Sequence, residues 1–200
     1  NLDALFLPSE KVRQERLNRF IRDLTHAVEL PEILSILRTT LQETLHPTLL
    51  HIYLYDPLGD HYVAVPDASG RPTSDLRFAA NSTLVQTLHQ QSGPLYVGNP
   101  AHLSDTLYGE QARLALLGAR IYFPLKTRTQ LSGWIALGLP EHAPSYTTRD
   151  YAFLSALADQ ASLAIERAQV IADLNQRVRQ MNVLIRVAQG VNVTLALEDI

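Results

Sequence analysis

The sequence has no cysteine, so disulfides, zinc–thiolate sites, thiol nucleophiles and thioether-linked cofactors are excluded. That absence fits a reducing cytoplasm, which is the expected location. No apolar run approaches the ~20 residues that span a bilayer, and no signal peptide opens the chain, so no direct membrane contact is expected in this segment. Neither charge sign dominates: 17 basic residues face 20 acidic ones, for a net charge of −3, and no basic excess points to nucleic acid. Catalytic signatures are missing too. Gly-x-Ser-x-Gly, His-Glu-x-x-His and a glycine-rich phosphate cradle do not occur, and the nine glycines are scattered through turns. The chain is therefore expected not to be an enzyme.

What is present is a 200-residue chain, 46% hydrophobic, long enough to bury a substantial core. Ser9 precedes an amphipathic pattern in which Leu17, Phe20, Ile21, Leu24 and Val28 fall at helical spacing. Pro31 suits the start of a second helix, striped by Leu34, Leu37, Leu41 and Leu45 and stopped by Pro47. The period then changes to two. Leu50, Ile52 and Leu54 alternate with His51, Tyr53 and Tyr55, which predicts a strand with one dry face. Asp56 to Asp60 reads as a turn and His61 to Val65 as the returning strand. A short helix around Leu84, Val85 and Leu88, a short strand at 95–97, and a long connection from Gly98 to Gly118 follow. Two strands, Ala119 to Lys126 and Leu131 to Leu139, precede a very long helix capped by Thr147 or Thr148 and running to about Gln189. This order predicts an α+β fold, a central antiparallel sheet of five to six strands with helices on one face and long N- and C-terminal helices. The hairpins exclude a doubly wound nucleotide fold.

Four stretches resemble the GAF domain family. Pro31 to Leu45 looks like its entry helix, and Thr87 to Pro100 like its helix-to-strand segment. Ala119 to Gly138 resembles its strand ending in Pro-Leu, then a turn, a glycine and an apolar strand. Tyr146 to Gln169 is similar to its closing helix. The resemblance implies a GAF/PAS-like sensor module of a signalling protein such as a sensor histidine kinase. The expected organisation is an incoming linker helix over 1–30, the GAF domain over 31–168 and an outgoing signalling helix over 169–190. Leu17 to Arg22 is echoed by Met181 to Arg186, which suggests that a second, truncated GAF-like repeat is under way over 191–200. Asn1 to Leu24 looks like the segment that joins a membrane region to the GAF domain in some bacterial sensor kinases, with an ordinary amphipathic linker helix as the alternative.

The family binds small molecules between the sheet and the long loop, a site that needs concavity, aromatic walls and a few polar anchors. The resemblance thus points to Tyr108, Arg120, Tyr122 and Trp134 as ligand-binding candidates. Arg120 and Tyr122 share a strand face because they are two apart, and Arg120 is suited to clamp a carboxylate or phosphate. Ordinary sheet packing is the alternative for each. Bilin-attaching members and members that reduce free methionine sulfoxide need cysteines that are absent here. The Asn-Lys-Phe-Asp-Glu signature of cyclic-nucleotide-binding members is absent too. Haem-binding members use a histidine; among the seven here only His102 with Asp105 forms a suggestive local pair. No cofactor and no bound metal are expected.

From Leu154 a three–four spacing continues through Leu157, Ala161, Ala164, Ala168, Ile171, Asn175, Val178, Asn182 and Ile185. Small residues come first, then larger aliphatics, with two asparagines at one recurrent heptad position. A competing frame runs through Ile171, Leu174, Val178, Met181 and Ile185. Either frame outlasts the domain and predicts a parallel homodimer through the terminal helices, feeding a downstream effector. The alternative is a helix that packs only against its own domain.

Overall fold

The structure is a computed structural model that describes residues 3–98, 105–127 and 130–198, with side chains described over 10–98, 105–127 and 130–189. Two helices come first, α1 (Asp3–His26) and α2 (Leu30–Leu45). The hairpin β1 (Leu50–Asp56) and β2 (His61–Ala64) follows, then β3 (Phe78–Ala79), α3 (Thr83–Gln90) and β4 (Leu95–Tyr96). A 3₁₀ turn (Asp105–Glu110) leads into α4 (Gln111–Leu117), β5 (Ile121–Lys126), β6 (Leu131–Leu137) and α5 (Thr148–Glu198). The strands form one six-stranded sheet, ordered β3-β2-β1-β6-β5-β4, in which every neighbouring pair is antiparallel. This is the α+β architecture the patterns predict.

Several boundaries differ from expectation for physical reasons. α1 begins at Asp3, six residues before Ser9, so Ser9 is not its cap; Pro8 gives up its own hydrogen bond without ending the helix. α5 runs past Gln189 to Glu198, because a single glycine at 190 costs only about 1 kcal/mol in a helix interior. β3, only two residues long, carries no periodicity and was not foreseen. The side chains of the suggested repeat over 191–200 lie outside the described residues.

The sheet is dry on both sides. On one side Ile52, Leu54, Phe123, Ile135 and Leu137 pack under α2 and α5 with Leu37, Leu41, Leu157 and Ala161. α5 lies on β5 and β6, and α2 on β1, while α1 makes its main contacts with those two helices. On the other side Tyr53, Tyr62, Phe78, Tyr122 and Trp134 pack beneath α3, α4 and the 3₁₀ turn with Leu84, Leu88, Leu107 and Leu114. The three long helices thus share one face, and the short helices cover the opposite one. On the side of β1 expected to be wet, Tyr55 is exposed and His51 half-buried, but Tyr53 is fully buried, so the strand is dry on both faces at its middle.

The start of α5 is pinned. The Thr147 N–H and hydroxyl each donate to the Asp150 carboxylate at 2.7 Å, and the Asp150 N–H donates back to the Thr147 hydroxyl at 3.2 Å, a reciprocal capping box. Arg13 pairs with Asp150 at 2.5 Å and so fastens α1 to the same point. Further along, Arg167 donates to the carbonyls of Leu24 and Ala27 at 2.6 and 2.9 Å, which anchors α5 to the end of α1.

Candidate functional site

The side of the sheet facing the short helices is built around Trp134. Tyr53 and Trp134 are directly opposite on β1 and β6, and their rings stack at 4.9 Å with 12° between planes. Phe78 stands edge-on to both, at 5.5 and 5.7 Å, and Tyr62 leans on Trp134 at 4.9 Å. Gly133 makes the close pairing possible, because a Cβ there would lie 1.9 Å from the Tyr53 carbonyl oxygen. The register shifts between Leu125 and Lys126, and Ser132 is the extra residue on β6. Arg113 of α4 lies over the Phe78 ring at 4.5 Å and pairs with Glu110 at 3.3 Å.

Polar atoms within this layer are mostly unpaired. The hydroxyls of Tyr53, Tyr122 and Ser132 and the indole N–H of Trp134 are buried without a hydrogen-bond partner among the described residues; Ser74 lies near Tyr53 without a well-formed bond. Tyr62 is the exception, donating to the Leu131 carbonyl at 2.8 Å. An unmet buried polar group costs about 1–3 kcal/mol, and four are found here among the described residues. Burial pushes the Tyr53, Tyr62 and Tyr122 phenols up, Tyr62 to about 12, so all three are neutral donors at pH 7. His51, edge-on to Tyr53, is held below its ordinary value by burial. Donors without an adjacent acid–base pair suit binding.

Of the residues chosen from sequence, Tyr122 and Trp134 stand on the same face of adjacent strands and are fully buried. Arg120, just before β5, donates to the Gly98 carbonyl and so ties the strand to the start of the long loop. Tyr108 points outward, 69% exposed, and is not brought to this layer. His102 lies outside the described residues. Tyr53, Phe78 and Arg113 were missed: Tyr53 was assigned to a wet face, and Phe78 sits on a two-residue strand. Among the described residues no cluster of His, Asp and Glu is placed to hold a metal ion, and no helix is long and apolar enough to cross a membrane.

A curled antiparallel sheet with long helices on one face and a short-helix cover on the other is the architecture of GAF-type domains. The chain belongs to the GAF domain family, whose profile matches residues 29–167. Similar solved structures show the same fold. One is the GAF domain of a phosphoenolpyruvate-protein phosphotransferase from Acinetobacter, at 17% identity and TM-score 0.60, covering 80% of this chain and 96% of that one. The GAF domain of the potassium sensor histidine kinase KdpD from Escherichia coli aligns at 16% identity and TM-score 0.53, covering 80% and 96%. Free methionine-R-sulfoxide reductase from Neisseria meningitidis, solved in complex with its substrate, aligns at 18% identity and TM-score 0.58, covering 80% and 91%. No curated protein matches the sequence.

Proposed function

We propose that this chain is a non-catalytic GAF sensor module that transmits a signal through a helical dimer to a downstream effector such as a histidine kinase. The observation that carries this reading is the division of α5. Up to Ala168 one stripe of the helix is buried under the sheet; from Ala172 to Gln189 every residue is exposed, including Leu174, Val178, Met181 and Ile185. A 51-residue helix is about 75 Å long, far more than one small domain covers. A parallel second copy is the simplest cover for Ile171, Val178 and Ile185, with Asn175 and Asn182 setting the register. Sedimentation velocity at high micromolar concentration tests this. A dimer that Val178→Glu with Ile185→Glu converts to monomer is expected; a wild-type monomer overturns it.

In this reading the input is a small molecule or partner on the aromatic side of the sheet, within reach of Arg120 and Tyr122. A second reading, a structural dimerisation module with a degenerate pocket, is favoured by the tight packing of Tyr53, Phe78 and Leu84 around Trp134. Native mass spectrometry of protein from its own host separates the two. A retained stoichiometric small molecule supports the sensor, and bare protein supports the structural module.

A further inference from the structure

Two helices do not cover six strands. Strands lie about 4.8 Å apart and packed helices about 8–10 Å apart, so α2 and α5 shield roughly four strands. α5 packs on β5 and β6 and α2 on β1, and a groove of about 540 Å³ opens between α2 and the β1–β2 hairpin. Leu30 and Leu34 of α2, Leu54 and Val63 of the hairpin, and Val65 just beyond it make its walls apolar.

Arg38 of α2 also lines this groove and is only 8% exposed. Its guanidinium reaches the carbonyls of Leu50, Val65 and Pro66 at 3.4, 3.4 and 3.5 Å, the outer limit for a hydrogen bond. No ion pair joins it to a carboxylate among the described residues. Asp67 acts on it through space, but that carboxylate already accepts hydrogen bonds from the Ser69 hydroxyl and the N–H groups of Ser69 and Arg71. Burial draws the Arg38 guanidinium below its ordinary value, with Asp67 pulling the other way. In the α1–α5 groove, by contrast, Arg13 pairs with Asp150 and Arg149 with Glu10.

A buried cation whose hydrogen bonds are long contacts to neutral carbonyls, and whose neighbouring carboxylate Asp67 is engaged by its own loop, is under-compensated, and an arriving anion gains what those contacts do not supply. The groove is the size of a small-molecule site; Arg38 and Asp67 are the charged residues that line it, with Ser35, Thr39 and Gln42 as its neutral polar ones, and the Asp67 carboxylate is turned to the N–H and hydroxyl groups of its own loop. We propose that it binds a small amphipathic carboxylate, its aliphatic tail along Leu30, Leu34 and Leu54 and its headgroup on Arg38. This site lies on the opposite side of the sheet from Trp134 and does not depend on the sensor reading above.

The probe is sodium decanoate, titrated into isotope-labelled protein below its micelle concentration, with decanol as the neutral control. Saturable amide shifts confined to α2 and residues 50–68 are expected. Decanoate should bind about tenfold more tightly than decanol, the scale of a charge-assisted hydrogen bond. Arg38→Met should abolish that preference while decanol still binds. Val63→Trp, which fills the groove and leaves the charge, should weaken both. Equal affinities for the two probes, shifts on the Trp134 side, or no saturable binding overturns the proposal. Concentration-dependent hydrogen-exchange protection of α2 and residues 61–68 overturns it as well, since a second copy would then cover the groove.

Discussion

The two sides of one sheet solve burial differently. The side under the long helices is closed mainly by aliphatic residues, and the buried hydroxyls of Tyr146 and Ser162 donate to the Gly138 and Ala158 carbonyls at 2.9 and 2.6 Å. The opposite side is closed by stacked aromatic rings, and four of its polar atoms lack a partner among the described residues. The first side is built for stability, with exceptions at Arg38 and at Arg13, whose Nη1 is buried without a partner among the described residues. The second is equally dry but leaves hydrogen-bonding capacity unused among the described residues.

The largest expected effect tests whether both sides are core. Trp134→Ala should cost about 3–5 kcal/mol and Leu157→Ala about 2–5 kcal/mol in urea unfolding, since each is fully buried. A Trp134→Ala cost below about 1 kcal/mol would mean that the aromatic side yields to a void and is no core. Gly133→Ala comes next. Its added methyl meets the Tyr53 backbone, which cannot rotate away, and should cost about 1–3 kcal/mol with loss of the Tyr53–Trp134 exciton signal in near-ultraviolet circular dichroism.

Much of this division was legible in the sequence, and its failures have specific causes. Helix stripes and the alternation of β1 announced the aliphatic side, because that side is built from periodic elements. The aromatic side depends on Tyr53, which alternation assigns to water, and on Phe78, whose two-residue strand has no period to detect. Tyr122 and Trp134 were found through the family pattern of β5 and β6. Tyr108 resembled a loop anchor by composition yet faces outward. Arg38 was invisible, because an arginine on an amphipathic helix normally extends to solvent.

Alkali and acid should probe the buried phenols and the start of α5 separately, with Tyr146 and Tyr151 on the helical side raised by burial as well. Burial raises the Tyr62 phenol to about 12 and raises those of Tyr53 and Tyr122, so the native state holds these protons more tightly than the unfolded chain. The Tyr62 contribution is complete below pH 10, the unfolded value, and is lost as pH rises to about 12, and those of Tyr53 and Tyr122 are lost in the same direction. At the start of α5, burial pushes Asp150 up, but Thr147 and Arg13 together hold it below its usual range. Its contribution is present above the unfolded carboxylate value and lost as pH falls through the lower folded one. Denaturation followed at both extremes should show Asp150→Asn flattening only the acid limb. An unchanged alkaline limb in Tyr62→Phe would contradict the assignment of that limb.

The smallest effect bears most on function, and it comes from making one substitution on each side. Tyr146→Phe removes a hydroxyl that donates to Gly138 and should cost about 0.5–1.5 kcal/mol, the net value of a hydrogen bond. Tyr122→Phe removes a fully buried hydroxyl that has no partner among the described residues. If nothing occupies the aromatic layer, taking that hydroxyl away relieves an unmet desolvation cost, and Tyr122→Phe should be neutral or more stable than wild type. The pair is measured by equilibrium urea unfolding of protein refolded from denaturant, which strips any carried-over guest. The same pair is then measured on protein purified without denaturation. A Tyr122→Phe penalty that appears only in the undenatured preparation means that a bound molecule accepts or donates at that hydroxyl, which favours the sensor reading over the degenerate pocket. A penalty of similar size in both preparations means that the hydroxyl has a partner within the chain, and the contrast between the two sides of the sheet then fails at its central residue.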